Sequence, residues 1–186
     1  MTCSLVLIAS LAPAQAVFPG GAAAPVSGTM LRRLERLRRG PGAPGAVFAA
    51  PGARARQTLE GLGLDGATEA ALRDADFGTW AGRFVSEVQE SDPARFAEWL
   101  RDPTSAPHGG ESLAEVQARV AGWMRGLAGA RHVLAVADTG IVRAAAVEAL
   151  GLGLAAHRCL DVRPAEAVRL SGNGERWRLI ASAAAL

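Results

Sequence analysis

The chain has 186 residues, 49% of them hydrophobic and 20% charged, which is the balance of a globular protein long enough to bury a real core. Its twenty basic residues are all Arg, there is no Tyr, and the net charge is only +2. So small a charge, with one basic cluster at Arg32, Arg33, Arg36, Arg38 and Arg39, leaves no footprint for nucleic acid and reads as a solvated helix face. Cys3 and Cys159 are too few and too far apart for a disulfide framework or a zinc site, and both read as buried small apolar residues. No run of eighteen apolar residues exists, so no membrane span is expected, and a cytoplasmic location is.

Residues 4–11 are apolar, and Ala14-Gln15-Ala16 has the form of a signal-peptidase site. No charged side chain precedes Arg32, however, so the positive segment of a secretory signal is missing. Leu5-Val6-Leu7-Ile8 is therefore read as a buried strand over 4–9. A mature chain starting at Val17 would reverse that choice.

A Pro/Gly/Ala-rich loop over 12–28 follows, long enough to suggest function or mobility. A helix is predicted over 29–39, a breaker over 41–45 and a second strand over 46–49. Residues 53–61 read as a helix closed by Gly61 and Gly63, and 67–69 as a short third strand. Between 76 and 107 the pattern is irregular, with helical pieces at 84–90 and 93–100. Asp92 before Pro93 supplies an N-cap with Pro at the first helical position. The clearest helix begins near Glu111, where Leu113, Val116, Val120, Met124 and Leu127 recur at three- and four-residue steps as a core stripe. A buried strand over 132–137 and a helix over 140–150 come next. Residues 167–170 and 176–180 flank Ser171-Gly172-Asn173-Gly174 as a terminal hairpin. Strand-length runs alternating with helical ones mark an α/β protein with a largely parallel sheet.

Four segments carry a resemblance. Phe48 to Thr58 is similar to "SSP-x-x-RA-x-QT", and Leu72 to Gly82 to "L-R-E-x-D-F-G-x-W-x-G". Pro107-His108-Gly109-Gly110-Glu111-Ser112 is similar to "P-G-G-E-S", and Val136 to Arg143 to "V-S-H-G-G-V-I-R". In this order and spacing the chain resembles the histidine phosphatase (phosphoglycerate mutase-like) family over nearly its whole length. The resemblance implies a three-layer α/β sandwich with a mostly parallel central sheet and helices on both faces. It implies one domain over 1–186 with a small helical cap insertion at about 76–110, and no cofactor or metal.

In that family a His after the first strand is phosphorylated, and two Arg with a second His clamp the phosphoryl oxygens. A carboxylic acid protonates the leaving oxygen. Carried onto this chain, Ala9-Ser10-Leu11 stands where the family has Arg-His-Gly. Asp138 stands for the second His, Asp74 for the acid, and Arg54 alone keeps its place in the clamp. Ser10 at the nucleophile position is a weak nucleophile without a nearby base. A phosphate would also meet Asp74 and Asp138; at an effective dielectric near 20, like unit charges about 4 Å apart cost roughly 4 kcal/mol. Catalysis by the family route is expected to be lost.

Arg54 is expected to form an ion pair with Asp138 or Asp74. Three readings stay open: a catalytically silent binding or regulatory module; an enzyme of different chemistry on a small anionic substrate, with Asp74 and Asp138 as acid/base and Arg54 as anchor; or a protein-docking surface on 84–99. Ser10, Arg54 and Thr139 are the candidate ligand-binding residues. A metal held by Ser10, Asp74 and Asp138 lacks enough oxygen ligands. His108 is expected to be exposed and inert, His132 and His157 structural, and Trp80, Trp99 and Trp123 packing residues, with Phe77 and Trp80 closing the core near the pocket.

Overall fold

A computed structural model describes residues 2–12, 16–19, 28–38 and 44–180. Arg39, the breaker at 41–43, Ala14-Gln15 and most of the 12–28 loop lie outside the described residues. The apolar run near the N-terminus is β1 (Cys3–Ala9). It pairs parallel with β4 (His132–Ala137) and antiparallel with β5 (Ala167–Gly172). Every second side chain along it, Cys3, Leu5, Leu7 and Ala9, is fully buried, and Ile8 nearly so. A continuous apolar string, not alternation, is what such a doubly covered strand requires.

With β2 (Ala46–Ala49), β3 (Ala67–Thr68) and β6 (Trp177–Leu179), the sheet has the order β3-β2-β4-β1-β5-β6. Only β5 runs against the others. The terminal hairpin predicted from sequence is β5–β6, with its turn two residues later than expected, over 173–176. Asn173 Oδ1 accepts the backbone N–H of Glu175 and Arg176 and so shapes that turn. Gly174 takes φ +96°, a conformation open to glycine.

Helices α1 (Gly28–Arg38) and α2 (Ala53–Leu62) pack together, as do α5 (Leu113–Gly126) and α6 (Thr139–Leu150). The crossovers through α1 and α2 travel one way along the sheet and that through α5 the other; right-handed connections then put the two pairs on opposite faces. Gly61 lets α1 approach, since a Cβ there would lie 2.7 Å from Leu34 Cδ1. Helix α5 starts two residues later than predicted. Ser112 caps it, with Glu115 bonding back to the Ser112 backbone.

Residues 76–110 form short helical elements above the sheet edge, including α3 (Val85–Ser91) and α4 (Pro93–Arg101). Asp92 caps α4 as predicted, accepting the Arg95 N–H. A separate apolar cluster of Phe18, Trp80, Val88 and Phe96, flanked by Phe77 and Trp99, holds this cap. Phe18 belongs to the loop after β1; its N–H donates to Arg83 O and its carbonyl accepts from Gly82. The root of the cap is a backbone crossing in which Glu111 N–H donates to Asp76 O and Thr79 N–H to His108 O. Gly78 and Gly110 are required there, because a Cβ on either would sit within 2.2 Å of a backbone oxygen of the other strand of the crossing. Cys159, expected to be buried, is exposed, because it follows a short 3-10 turn at the surface; Cys3 is buried.

Candidate active site

In a parallel sheet, ligands gather at the carboxyl ends of the strands. Ser10, Ala50 and Asp138 directly follow β1, β2 and β4, which are adjacent in the sheet. Arg54 enters from the first turn of α2, and Asp74 from the segment after the short 3-10 turn at Ala70–Leu72. Arg54 is 8% exposed. Its Nη2 donates to Asp74 Oδ2 at 2.8 Å and to Asp138 Oδ2 at 2.7 Å. One guanidinium thus bridges both acids rather than pairing with either alone, and the trio carries one net negative charge when both carboxyls are ionised.

Each member is positioned by groups the motifs only partly reveal. Thr58, from the "QT" of the α2 segment, donates to Arg54 O at 2.7 Å and accepts the Leu11 N–H at 3.1 Å. It therefore ties the end of β1 to the helix bearing Arg54. Asp138 stands at the N-cap position of α6 but makes no side-chain capping bond. Its Oδ1 accepts from Thr139 Oγ1 at 3.1 Å, so Thr139 orients a carboxylate. The helix N-terminus favours negative charge there. Glu111 accepts two N–H bonds from Arg119, and Arg119 also donates to Ala71 O and Arg73 O. Because Glu111 Oε2 also accepts the Asp76 N–H, that clamp holds the backbone on both sides of Asp74, and sequence reasoning missed it; the eight-residue spacing from Glu111, just before the Ser112 cap, to Arg119 on α5 was the available signal.

Ser10 is buried, and its hydroxyl makes no hydrogen bond among the described residues. No contact with Asp138 activates it. It lines a cavity of about 220 Å³ together with Arg54, Asp74 and Asp138. A second, mostly apolar cavity of about 370 Å³ lies under the cap and shares Asp74 and Asp138 with the first. His108 corrects an expectation: it is buried, 1% exposed, between the rings of Phe77 and Trp80. Its Nδ1 accepts the Gly110 N–H, its Nε2 has no partner, and burial pushes its pKa down. His132 is exposed on β4. His157 bonds Gln117 Oε1 at 2.8 Å, and burial, with the charge of Arg143, lowers its pKa to about 4. Among the described residues, no group of three His, Cys, Asp or Glu side chains is arranged to hold a metal ion. No described helix is long and apolar enough to cross a membrane.

Burial, and then the like charge of Asp138, raise the Asp74 carboxyl to about 6 against the opposing pull of Arg54. Between its ordinary 3.8 and about 6 the folded chain holds a proton that the unfolded chain has released. This group therefore favours the fold at low pH, and that contribution is lost as pH rises through the window. Urea unfolding from pH 4 to 7 is expected to show a decline that Asp74→Asn flattens. Superimposable curves for the two proteins would contradict the assignment.

The sheet order and the paired helices are those of the phosphoglycerate mutase-like fold. The structure of an alpha-ribazole phosphatase from Shigella flexneri shares that fold with a TM-score of 0.81 at 18% identity, covering 95% of this chain and 94% of the other. The chain belongs to the histidine phosphatase superfamily (branch 1), matched over residues 30–184. A mycobacterial glucosyl-3-phosphoglycerate phosphatase structure is 26% identical with a TM-score of 0.78, over 96% of this chain and 97% of that one. Phosphoserine phosphatase 1 of Hydrogenobacter thermophilus is 34% identical over 105 residues, which is 54% of this chain and 49% of the relative. A bifunctional protein of Mycobacterium tuberculosis is 38% identical over 79 residues, 40% of this chain and 22% of the relative. The matched segments thus span about a fifth to a half of these two curated relatives.

Proposed function

We propose that this chain has lost phosphoryl transfer and serves as a binding or regulatory module built on the phosphatase fold. The observation that carries the reading is the bridging of Arg54 by Asp74 and Asp138. The remaining phosphate-clamp cation is already neutralised, and the cavity around it is lined by no imidazole. An incoming dianion must displace two charge-assisted bonds and then sit beside both freed carboxylates. Among the described residues Ser10 has no hydrogen-bonded base, so its hydroxyl is not activated to form a covalent phosphoryl intermediate.

A second reading is favoured by Asp74, whose pKa near 6 suits a general acid or base near neutrality. In that reading Asp74 and Asp138 exchange protons with a small anionic substrate other than a phosphate ester, anchored by Arg54. One experiment addresses both: small phosphomonoesters and non-phosphate organic acids are assayed from pH 4 to 8. No phosphate release above background and no trapped phosphoprotein are expected. Robust phosphomonoester turnover abolished by Arg54→Ala would defeat the first reading, and a bell-shaped profile on an organic acid would move the assignment to the second.

A further inference from the structure

The larger cavity contains a cation that the protein leaves unused. Arg143, on α6 one helical turn after Thr139, lines it. Its Nε is buried without a partner, and its guanidinium makes no hydrogen bond or ion pair among the described residues. A buried guanidinium N–H left unmet beside apolar walls is costly. Arg54 is the contrast, since both of its acids already hold it. The charge of Arg143 is felt inside the cleft, because it helps to keep the neighbouring His157 neutral.

We infer that this cavity binds a small monocarboxylate with an apolar or aromatic body, its carboxylate held by Arg143 and its body packed against Phe18, Phe77, Trp99 and Leu113. The inference rests on the binding-module reading, keeps the same cleft, and moves the anion site from Arg54 to Arg143. The volume of about 370 Å³ lies at the small end of ligand pockets, and aromatic walls with few polar groups are their usual lining. Asp74, Asp102, Glu111 and Asp138 all line the space. Arg73 and Arg119 neutralise Glu111, and Arg54 alone offsets the Asp74–Asp138 pair. Arg158 lines the space as well and donates to Trp99 O. A guanidinium also matches a carboxylate through two parallel N–H bonds.

The test is calorimetric titration, with tryptophan fluorescence as a second readout because Trp99 faces the cavity, using phenylacetate, phenylacetamide, phenyl phosphate and inorganic phosphate. Phenylacetate is expected to bind saturably, about tenfold to a hundredfold tighter than phenylacetamide, the gain of one charged hydrogen-bonding pair. Arg143→Met is expected to remove that difference. Arg143→Lys keeps the charge and should retain part of it. Equal binding of phenylacetate and phenylacetamide, or no saturable binding of phenylacetate, would overturn the inference while leaving the loss of phosphatase activity standing. Tightest binding of phenyl phosphate, lost on Arg54→Ala, would overturn both.

Discussion

Arg54→Met is expected to lower stability by about 2–3 kcal/mol at pH 7, measured by urea unfolding. Removing one partner of a buried ion pair typically costs more, because a charge is left without compensation. Here the cost is discounted, since the Asp74 and Asp138 side chains keep 29% and 22% of their exposure. The substitution preserves most of the side-chain volume, so the deficit is electrostatic rather than a cavity. Its pH dependence identifies it. Without the guanidinium, the two carboxylates face each other, and Asp74, already raised to about 6, moves higher still. The deficit should therefore shrink as pH falls from 7 to 5, where one proton relieves the repulsion. Adding Asp138→Asn to the variant should restore most of the lost stability at pH 7. A pH-independent deficit, or none, would show that the trio carries no such strain.

Trp80→Ala is expected to cost about 3–5 kcal/mol, the range for truncating a large buried aromatic side chain. Trp80 is 2% exposed and touches Phe18, Phe96, Trp99 and His108. The effect should be uneven, because the cap cluster is distinct from the core cluster on the sheet. Hydrogen exchange should quicken first across α3 and α4, while the central strands β1 and β4 stay protected. Uniform loss of protection throughout the sheet would mean that the cap and sheet unfold as one unit. The floor of the larger cavity depends on the same cluster through Phe18, Phe77 and Trp99.

Both predictions draw on features that local sequence revealed to different degrees. Leu5-Val6-Leu7-Ile8 was legible as a strand because an unbroken β-branched and aliphatic run suits a position covered on both faces. The α5 stripe was legible because its period of three and four has one interpretation. The trio of Arg54, Asp74 and Asp138 was legible only through motif register, since these residues lie 20 and 84 positions from their partner. Nothing in Pro107-His108-Gly109-Gly110 announces that Phe77 and Trp80 will enclose the imidazole. A loop histidine beside two glycines has the composition of an exposed turn, and the glycines instead serve a backbone crossing.

What the amino-acid string determined alone is the alternation of elements and the family register. Those depend on residue type and short spacing, which are local properties. The sharing of one guanidinium by two acids, the Glu111–Arg119 clamp, the burial of His108 and the unpaired Arg143 were decided by the tertiary structure. Each depends on distances between side chains far apart in the chain, and on how much water the packing excludes. Burial raises the pKa of Asp74 and leaves the Arg143 Nε without a partner, and burial exists only after the sheet, helices and cap have closed over the cleft.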